Sequence, residues 1–302
     1  MAFMTATATS AVPATGATTD TLLWQWQGRN IELGLTRQGS GPALLMLPAL
    51  STISTRQEFA ALQEMLADRF TTLAVDWPGF GDRPRPFIDW SAETLLAFVD
   101  HLLTATDIRP AGVVAAGHAG GLMMRYLGDH PGSVERLILV APTWRGPLPT
   151  MTRGDYKPWF ARVRRWFDQP FGRTLYWLNT REWCIHRMAD EHVYATPRYL
   201  NAERMAIKRR VPASPGARHA SIRFVTGALD AFRTRDTALA AMRRVSARTL
   251  MLTTPHMPRR SSENMEALAT LENVETRRLP HGKLLVHEEY PADVAEVIRS
   301  WW

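Results

Sequence analysis

Cysteine is almost absent from this chain of 302 residues, in which Cys184 is the single example. A disulfide within the chain is therefore impossible, which excludes a fold that depends on disulfide bonds. A lone cysteine is also typical of proteins from a reducing compartment, so we expect a cytoplasmic location.

Long apolar runs are missing as well. No stretch reaches the roughly 20 apolar residues of a transmembrane helix, so we expect no membrane span. Residues 1–20 are rich in alanine and threonine and lack a basic segment followed by an apolar one, which argues against a signal peptide. We expect these residues to form a disordered leader.

Motifs for several ligand classes are also lacking. No spacing of histidine and acidic residues matches a metal site, and no glycine loop of a nucleotide-binding type is present. The net charge of +7 is not gathered into a basic stripe or a nucleic-acid-binding motif. We therefore expect no metal, no cofactor and no nucleic-acid partner, while the oligomeric state stays open.

Short apolar segments alternate with helical periodicity along most of the chain. An antiparallel pair is expected at 22–26 and 31–35, and buried strands at 43–47, 72–75, 111–116, 137–140, 249–253 and 274–279. Helices are expected at 56–68, at 92–104 with Ser91 as its N-cap, and at 237–244, 262–271 and 292–302. This alternation predicts an α/β fold, with a mostly parallel sheet flanked by helices.

The pattern changes between residues 149 and 216, where no buried strand is apparent and tryptophan and arginine are frequent. We interpret 149–216 as a helical cap inserted into a core formed by 21–148 and 217–302. Its tryptophans either form an apolar ceiling over a pocket or attach the cap to the core.

A strand–turn–helix segment at 113–121 is typical of a nucleophile elbow, in which Gly117, Gly120 and Gly121 permit a tight turn. Together with the Leu47-Pro48-Ala49-Leu50 loop, the Asp76-Trp77-Pro78-Gly79-Phe80-Gly81 turn and Glu289-Tyr290-Pro291, it resembles the α/β-hydrolase superfamily. The resemblance implies that fold, and it places Ala119 at the nucleophile position.

The catalytic triad of that superfamily is not matched. Ala119 carries only a methyl group, and the expected histidine position is Leu284, with His281 and His287 three residues to either side. The loop at 254–260, where the acid usually stands, contains no carboxylate. Because a triad needs a nucleophile, a base and an acid, conventional ester hydrolysis is not expected.

Other groups could still act at the same edge of the sheet. The resemblance implies an oxyanion hole from the amides of Leu50 and Gly120, which suits a carbonyl or carboxylate oxygen. The remaining polar candidates are His118, Asp76, His287 and Ser51. Trp144 and Arg145 are candidate ligand contacts, Arg145 as a clamp for a carboxylate or phosphate.

Three functions remain open. The first is a protein that binds a small apolar molecule with a carbonyl or carboxylate group, or a protein partner, without hydrolysing an ester. The second is a non-hydrolytic enzyme, such as a lyase, isomerase or cyclase, that uses the oxyanion amides with His118, Asp76 or His287. The third is an esterase with shifted or engineered catalytic residues.

Overall fold

Eight strands form one sheet in a computed structural model that describes residues 16–302. The strands are β1 (Thr18–Trp26), β2 (Arg29–Gln38), β3 (Ala43–Leu47), β4 (Thr71–Val75), β5 (Gly112–Ala116), β6 (Arg136–Val140), β7 (Arg248–Thr253) and β8 (Val274–Arg278). Their spatial order is β1-β2-β4-β3-β5-β6-β7-β8. Strand β2 is antiparallel to β1 and to β4, and all other neighbours are parallel. The expected fold class is confirmed.

Helices connect the parallel strands and cover both faces of the sheet. They are α1 (Ala60–Leu66), α2 (Ala92–Asp100), α3 (His118–Asp129), α4 (Pro147–Met151), α5 (Trp159–Asp168), α6 (Gly172–Asn179), α7 (Glu182–Met188), α8 (Ala202–Ala213), α9 (Ala217–Val225), α10 (Arg235–Arg244), α11 (Arg259–Ala269), α12 (Val286–Glu289) and α13 (Pro291–Trp301). None of the helices between residues 16 and 302 is long and apolar enough to cross a membrane.

The core has two layers, because successive side chains of a strand point to opposite faces. In β3, Leu45 and Leu47 join the cluster that contains Phe98 of α2 and Leu122 of α3. Leu44 and Met46 join the opposite cluster, with residues of α1 and α13. All four strand side chains are fully buried, as the short apolar run at 43–47 predicts.

Several element boundaries differ from the sequence expectations by a few residues, and three places differ in the kind of structure formed. Residues 1–15 of the expected leader lie outside the described part of the chain. The expected leader also includes residues 18–20, but these belong to β1, which begins at Thr18 and pairs with β2. The expected helix at 56–68 begins as a 3-10 turn over Arg56–Phe59, and the helix at 92–104 changes to a π-helical turn at His101. The predicted N-cap is confirmed, since the Ser91 hydroxyl accepts from the Thr94 amide at 3.2 Å.

Short helices α4 to α8 occupy the segment between β6 and α9 and contact loops at the carboxyl ends of several strands. Arg85, in the loop after β4, donates to the Val211 carbonyl of α8 at 3.0 Å. Tyr194 and Lys208 contact Glu288, which follows β8. We call residues 147–213 the helical segment below.

Candidate functional site

The loops that follow β3, β4, β5, β6, β7 and β8 lie at one edge of the sheet, because these strands run parallel. In α/β sheets this carboxyl edge is where ligands bind. All the sequence-predicted site residues belong to these loops or to helices that start at this edge.

The tip of the elbow is Gly117. It stands alone between the last residue of β5, Ala116, and the first residue of α3, His118. Its backbone angles, φ 51° and ψ −122°, lie in a region that strongly favours glycine. A Cβ built on Gly117 would lie 3.1 Å from the Cβ of Ala49, so the tip faces the loop after β3.

The placement of Ala119 at the tip is therefore corrected by two residues. Ala119 lies inside the first turn of α3 and is fully buried in the core. Gly120 and Gly121 pack the helix against the loop after β6, where added Cβ atoms would lie 2.9 Å from Pro142 Cβ and 2.7 Å from Trp144 Cβ. The two glycines thus permit close helix packing rather than flanking the tip.

The amides near the tip also differ from expectation. The Gly120 N–H donates to the Gly117 carbonyl at 3.0 Å, so it is already used within the turn. The expectation that this amide belongs to an oxyanion hole is therefore wrong. The Ala49 N–H donates to Glu58 Oε1 at 2.7 Å. The Leu50 and His118 amides have no acceptor within residues 16–302. These two N–H groups are the candidates that remain for a ligand oxygen.

His118 points sideways from the elbow into the protein. Its Nε2 lies 3.2 Å from the Leu229 carbonyl and 3.4 Å from Asp230 Oδ1, and the side chains of His118 and Asp230 are each 1% exposed. Burial lowers the pKa of His118, despite the nearby carboxylate, and burial also raises the pKa of Asp230. Burial thus shifts the pKa of each group in the direction of its neutral form. Asp230 also accepts from the Tyr156 hydroxyl at 2.6 Å.

His287 belongs to a second buried cluster, on the other side of the loop after β3. Its Nε2 lies 3.4 Å from Glu58 Oε1, and both side chains are fully buried. The imidazole packs on the Phe59 ring at a centroid distance of 4.6 Å. His281, in contrast, is exposed and lies 5.3 Å from the ring of Tyr290. These contacts hold His287 among protein groups.

Asp76 and Ser51 have structural partners. Asp76 accepts from Arg56 Nη1 at 2.5 Å and from the Arg56 amide at 2.6 Å, and it is 1% exposed. Its pKa is raised by burial, which outweighs the effect of Arg56. The Ser51 hydroxyl lies 2.8 Å from that of Ser54 in the same loop.

The expected ligand contacts after β6 take different positions. Trp144 is fully buried and packs beside Gly121. Arg145 lines a cavity of about 500 Å³ between the loops that follow β6 and β7.

The tryptophans of the helical segment are more exposed than either expectation for them suggests. Neither a ceiling over a pocket nor attachment to the core is confirmed for them, since they are 42 to 67% exposed: Trp159, Trp166, Trp177 and Trp183.

Sequence reasoning missed the tip and the partner of His118. A signal for the tip was present, because an elbow residue must follow its strand directly and the apolar run ends at Ala116. Nothing local links His118 to Asp230, which lies more than 100 residues later and reaches it only through the packing of the loop after α9 on α3.

A mostly parallel sheet with a strand–turn–helix elbow at its carboxyl edge defines an α/β protein of the hydrolase type. The sequence model of the alpha/beta hydrolase family matches residues 44–297, well over half of the chain. The chain therefore belongs to this family.

Individual relatives are more distant. Uncharacterized proteins of Mycobacterium tuberculosis and Mycobacterium bovis are 34% identical over 103 residues, which cover 34% of this chain and 30% of those proteins. The chain thus matches less than a third of the length of these relatives.

Solved structures resemble the whole chain at low sequence identity. The haloalkane dehalogenase DatA of Agrobacterium tumefaciens has a TM-score of 0.69 at 19% identity, covering 95% of this chain and 96% of that protein. The epoxide hydrolase CorEH has a TM-score of 0.69 at 20% identity, covering 94% and 98%. The Cif epoxide hydrolase of Acinetobacter nosocomialis has a TM-score of 0.70 at 14% identity, covering 95% and 90%. At such identities the likeness concerns the fold.

Proposed function

We propose that this member of the alpha/beta hydrolase family binds a small apolar molecule with a carbonyl or carboxylate group and does not hydrolyse esters. One observation carries the proposal: the residue with elbow-tip geometry is Gly117. A glycine offers no hydroxyl, thiol or carboxylate, so it cannot attack a substrate or form a covalent intermediate.

The histidines support the same conclusion. A general base must lie within hydrogen-bonding reach of the group that it deprotonates. His118 faces Leu229 and Asp230, and His287 faces Glu58 and Phe59. Both imidazoles are thus enclosed by protein groups, although His118 Nδ1 and both ring nitrogens of His287 have no hydrogen-bond partner in the described part of the chain.

Binding is supported by what the edge retains. The Leu50 and His118 amides are without protein acceptors in the described part of the chain, and such N–H pairs stabilise a carbonyl or carboxylate oxygen. The helical segment contacts the loops around the edge through Val211, Tyr194 and Lys208, which favours its role as a cap. The similar structures are named as a dehalogenase and epoxide hydrolases, so the fold suits small-molecule sites.

Turnover of p-nitrophenyl acetate and p-nitrophenyl hexanoate tests the absence of hydrolysis. We expect no turnover above buffer for the unaltered protein or for Ala119→Ser, whose hydroxyl would be buried within α3. Gly117→Ser places the hydroxyl at the tip and reports whether any base reaches it. Ester hydrolysis by the unaltered protein would refute the proposal, whereas activity confined to Gly117→Ser would make the tip residue the single missing element.

Binding is tested by calorimetry with octanoate. We expect saturable binding that Ala49→Leu weakens at least tenfold, because the larger side chain would fill the space beside Gly117. Ala43→Leu, at the amino end of β3, is the matched control and should bind normally, because Ala49 follows the other end of that strand. Equal binding by both variants would contradict an octanoate site at the tip.

A second candidate function is a non-hydrolytic enzyme that uses the His118–Asp230 pair. It is favoured by His118 Nδ1, which is buried without a hydrogen-bond partner in the described part of the chain. Tyr156 connects Asp230 to a more exposed position. If the protein turns over a substrate, and if Asp230→Asn folds normally but abolishes that turnover, the non-hydrolytic enzyme is favoured over the binding function.

A further inference from the structure

The geometry points to a separate anion site, which binds a phosphoryl-bearing small molecule. The site is the cavity of about 500 Å³ that Arg145 lines, and we call it the arginine cavity. Its other arginines come from the loop after α4 and from the first turns of α10 and α11: Arg153, Arg235, Arg259 and Arg260. The cavity thus lies at the carboxyl edge between the loops that follow β6 and β7, where such sheets bind ligands.

Charge in the arginine cavity is poorly balanced. The lining contains five arginines and one carboxylate, Glu263, so four positive charges are in excess. Arg235 and Arg259 share Glu263, at 3.9 Å and 3.2 Å. Arg260 donates to the Thr150 carbonyl.

Two further guanidinium groups have no acidic partner. Within residues 16–302, neither Arg145 nor Arg153 forms an ion pair. The Nε of Arg145 is buried and has no hydrogen-bond acceptor in the same part of the chain. Guanidinium groups in this state bind anions through paired N–H donors.

The backbone also supports this arrangement. A Cβ on Gly154 would lie 2.8 Å from Arg145 Nη1, and Gly154 has a φ of +93°. The turn can therefore pass close to the guanidinium because residue 154 has no side chain. The preceding residue, Arg153, adopts a φ of 60°, a left-handed conformation that is uncommon for a residue with a side chain.

The size of the charge excess favours a phosphoryl group over a single carboxylate. A phosphate ester carries about 1.5 to 2 negative charges at pH 7 and three acceptor oxygens, which match several guanidinium forks at once. A volume of about 500 Å³ also accommodates a small organic group beside the phosphate. The site does not depend on the chemistry of the elbow, since none of its lining residues touches Gly117.

Calorimetry on the full chain in 150 mM salt tests the arginine cavity with four ligands: inorganic phosphate, pyrophosphate, phenyl phosphate and benzoate. We expect phenyl phosphate to bind with one-to-one stoichiometry and at least tenfold more tightly than benzoate, which has the same ring. Tighter binding of pyrophosphate than of phenyl phosphate would identify an inorganic anion, and the reverse order a phosphate ester. Both orders support a phosphoryl site.

Variants locate the binding. Arg145→Gln and Arg153→Gln should each weaken phenyl phosphate binding at least tenfold, and neither change leaves a carboxylate without its partner. Arg109→Gln is the matched control, because Arg109 is exposed, forms no ion pair within residues 16–302 and precedes β5 at the opposite edge of the sheet. Equal loss in all three variants would show diffuse surface attraction and overturn the proposal. Equal affinity for benzoate, or no binding at 10 mM ligand, would also overturn it.

Discussion

Replacing Gly117 by alanine probes the backbone geometry on which the proposed function depends. Its φ of 51° and ψ of −122° lie where a side chain meets its own backbone, a conformation that costs about 1–3 kcal/mol. The added Cβ would also lie 3.1 Å from that of Ala49, so the neighbouring loop must shift. We therefore expect Gly117→Ala to lower the free energy of unfolding by about 2–3 kcal/mol, the upper part of that range.

Urea denaturation followed by circular dichroism measures this loss. At a slope of about 3 kcal/mol per molar urea, the midpoint should fall by roughly 0.7–1 M. Gly132→Ala is the matched control, because Gly132 also has a positive φ, +84°, but a Cβ there meets nothing within 4 Å. Its cost should be about 1 kcal/mol, from the left-handed backbone alone.

Ala119→Gly completes the comparison. Ala119 lies within α3, so glycine there should cost about 0.5–1 kcal/mol through lost helix propensity. If Gly117→Ala proves no more destabilising than Gly132→Ala, Gly117 is not the strained tip. The argument that the tip lacks a nucleophile would then fail.

Three further predictions concern buried titratable side chains. Asp76→Ala should lower the free energy of unfolding by about 3 kcal/mol, because it removes the more buried of the two carboxylates paired with Arg56 and leaves only Asp82, at 3.0 Å; a loss below about 1 kcal/mol would contradict this role. Lys208→Met should cost about 3 kcal/mol, because it removes the cation 2.8 Å from Glu288; an unchanged melting temperature would speak against that pair. For His118, burial keeps the folded-state pKa below the ordinary value of about 6.5. The unfolded chain therefore binds the proton first, and stability should fall as the pH drops below about 6.5, less steeply in His118→Gln; parallel pH profiles would contradict this.

The strands of the sheet could be predicted because each one corresponds to a short apolar run in the sequence. Runs such as 43–47 are apolar at every position, since a parallel strand is buried on both faces, and both layers of the core confirm this. The hydroxyl of Ser91 likewise acts on an amide three residues away, so its cap is legible in the sequence. Membership of the family followed from motifs whose order along the chain matches the order of these elements.

The site depended on contacts between distant residues. The end of the apolar run at Ala116 indicates that the tip is residue 117, but the backbone angles of Gly117 and its close approach to Ala49 are visible only in the folded chain. The partner of His118 comes from the loop after α9, and Arg260 reaches the Thr150 carbonyl across 110 residues. The alternation of strands and helices along the sequence determined the fold by itself, because each buried segment must be apolar and this is visible in its own few residues. Only the tertiary structure decided which polar side chains meet, because the order of strands in the sheet differs from their order along the chain.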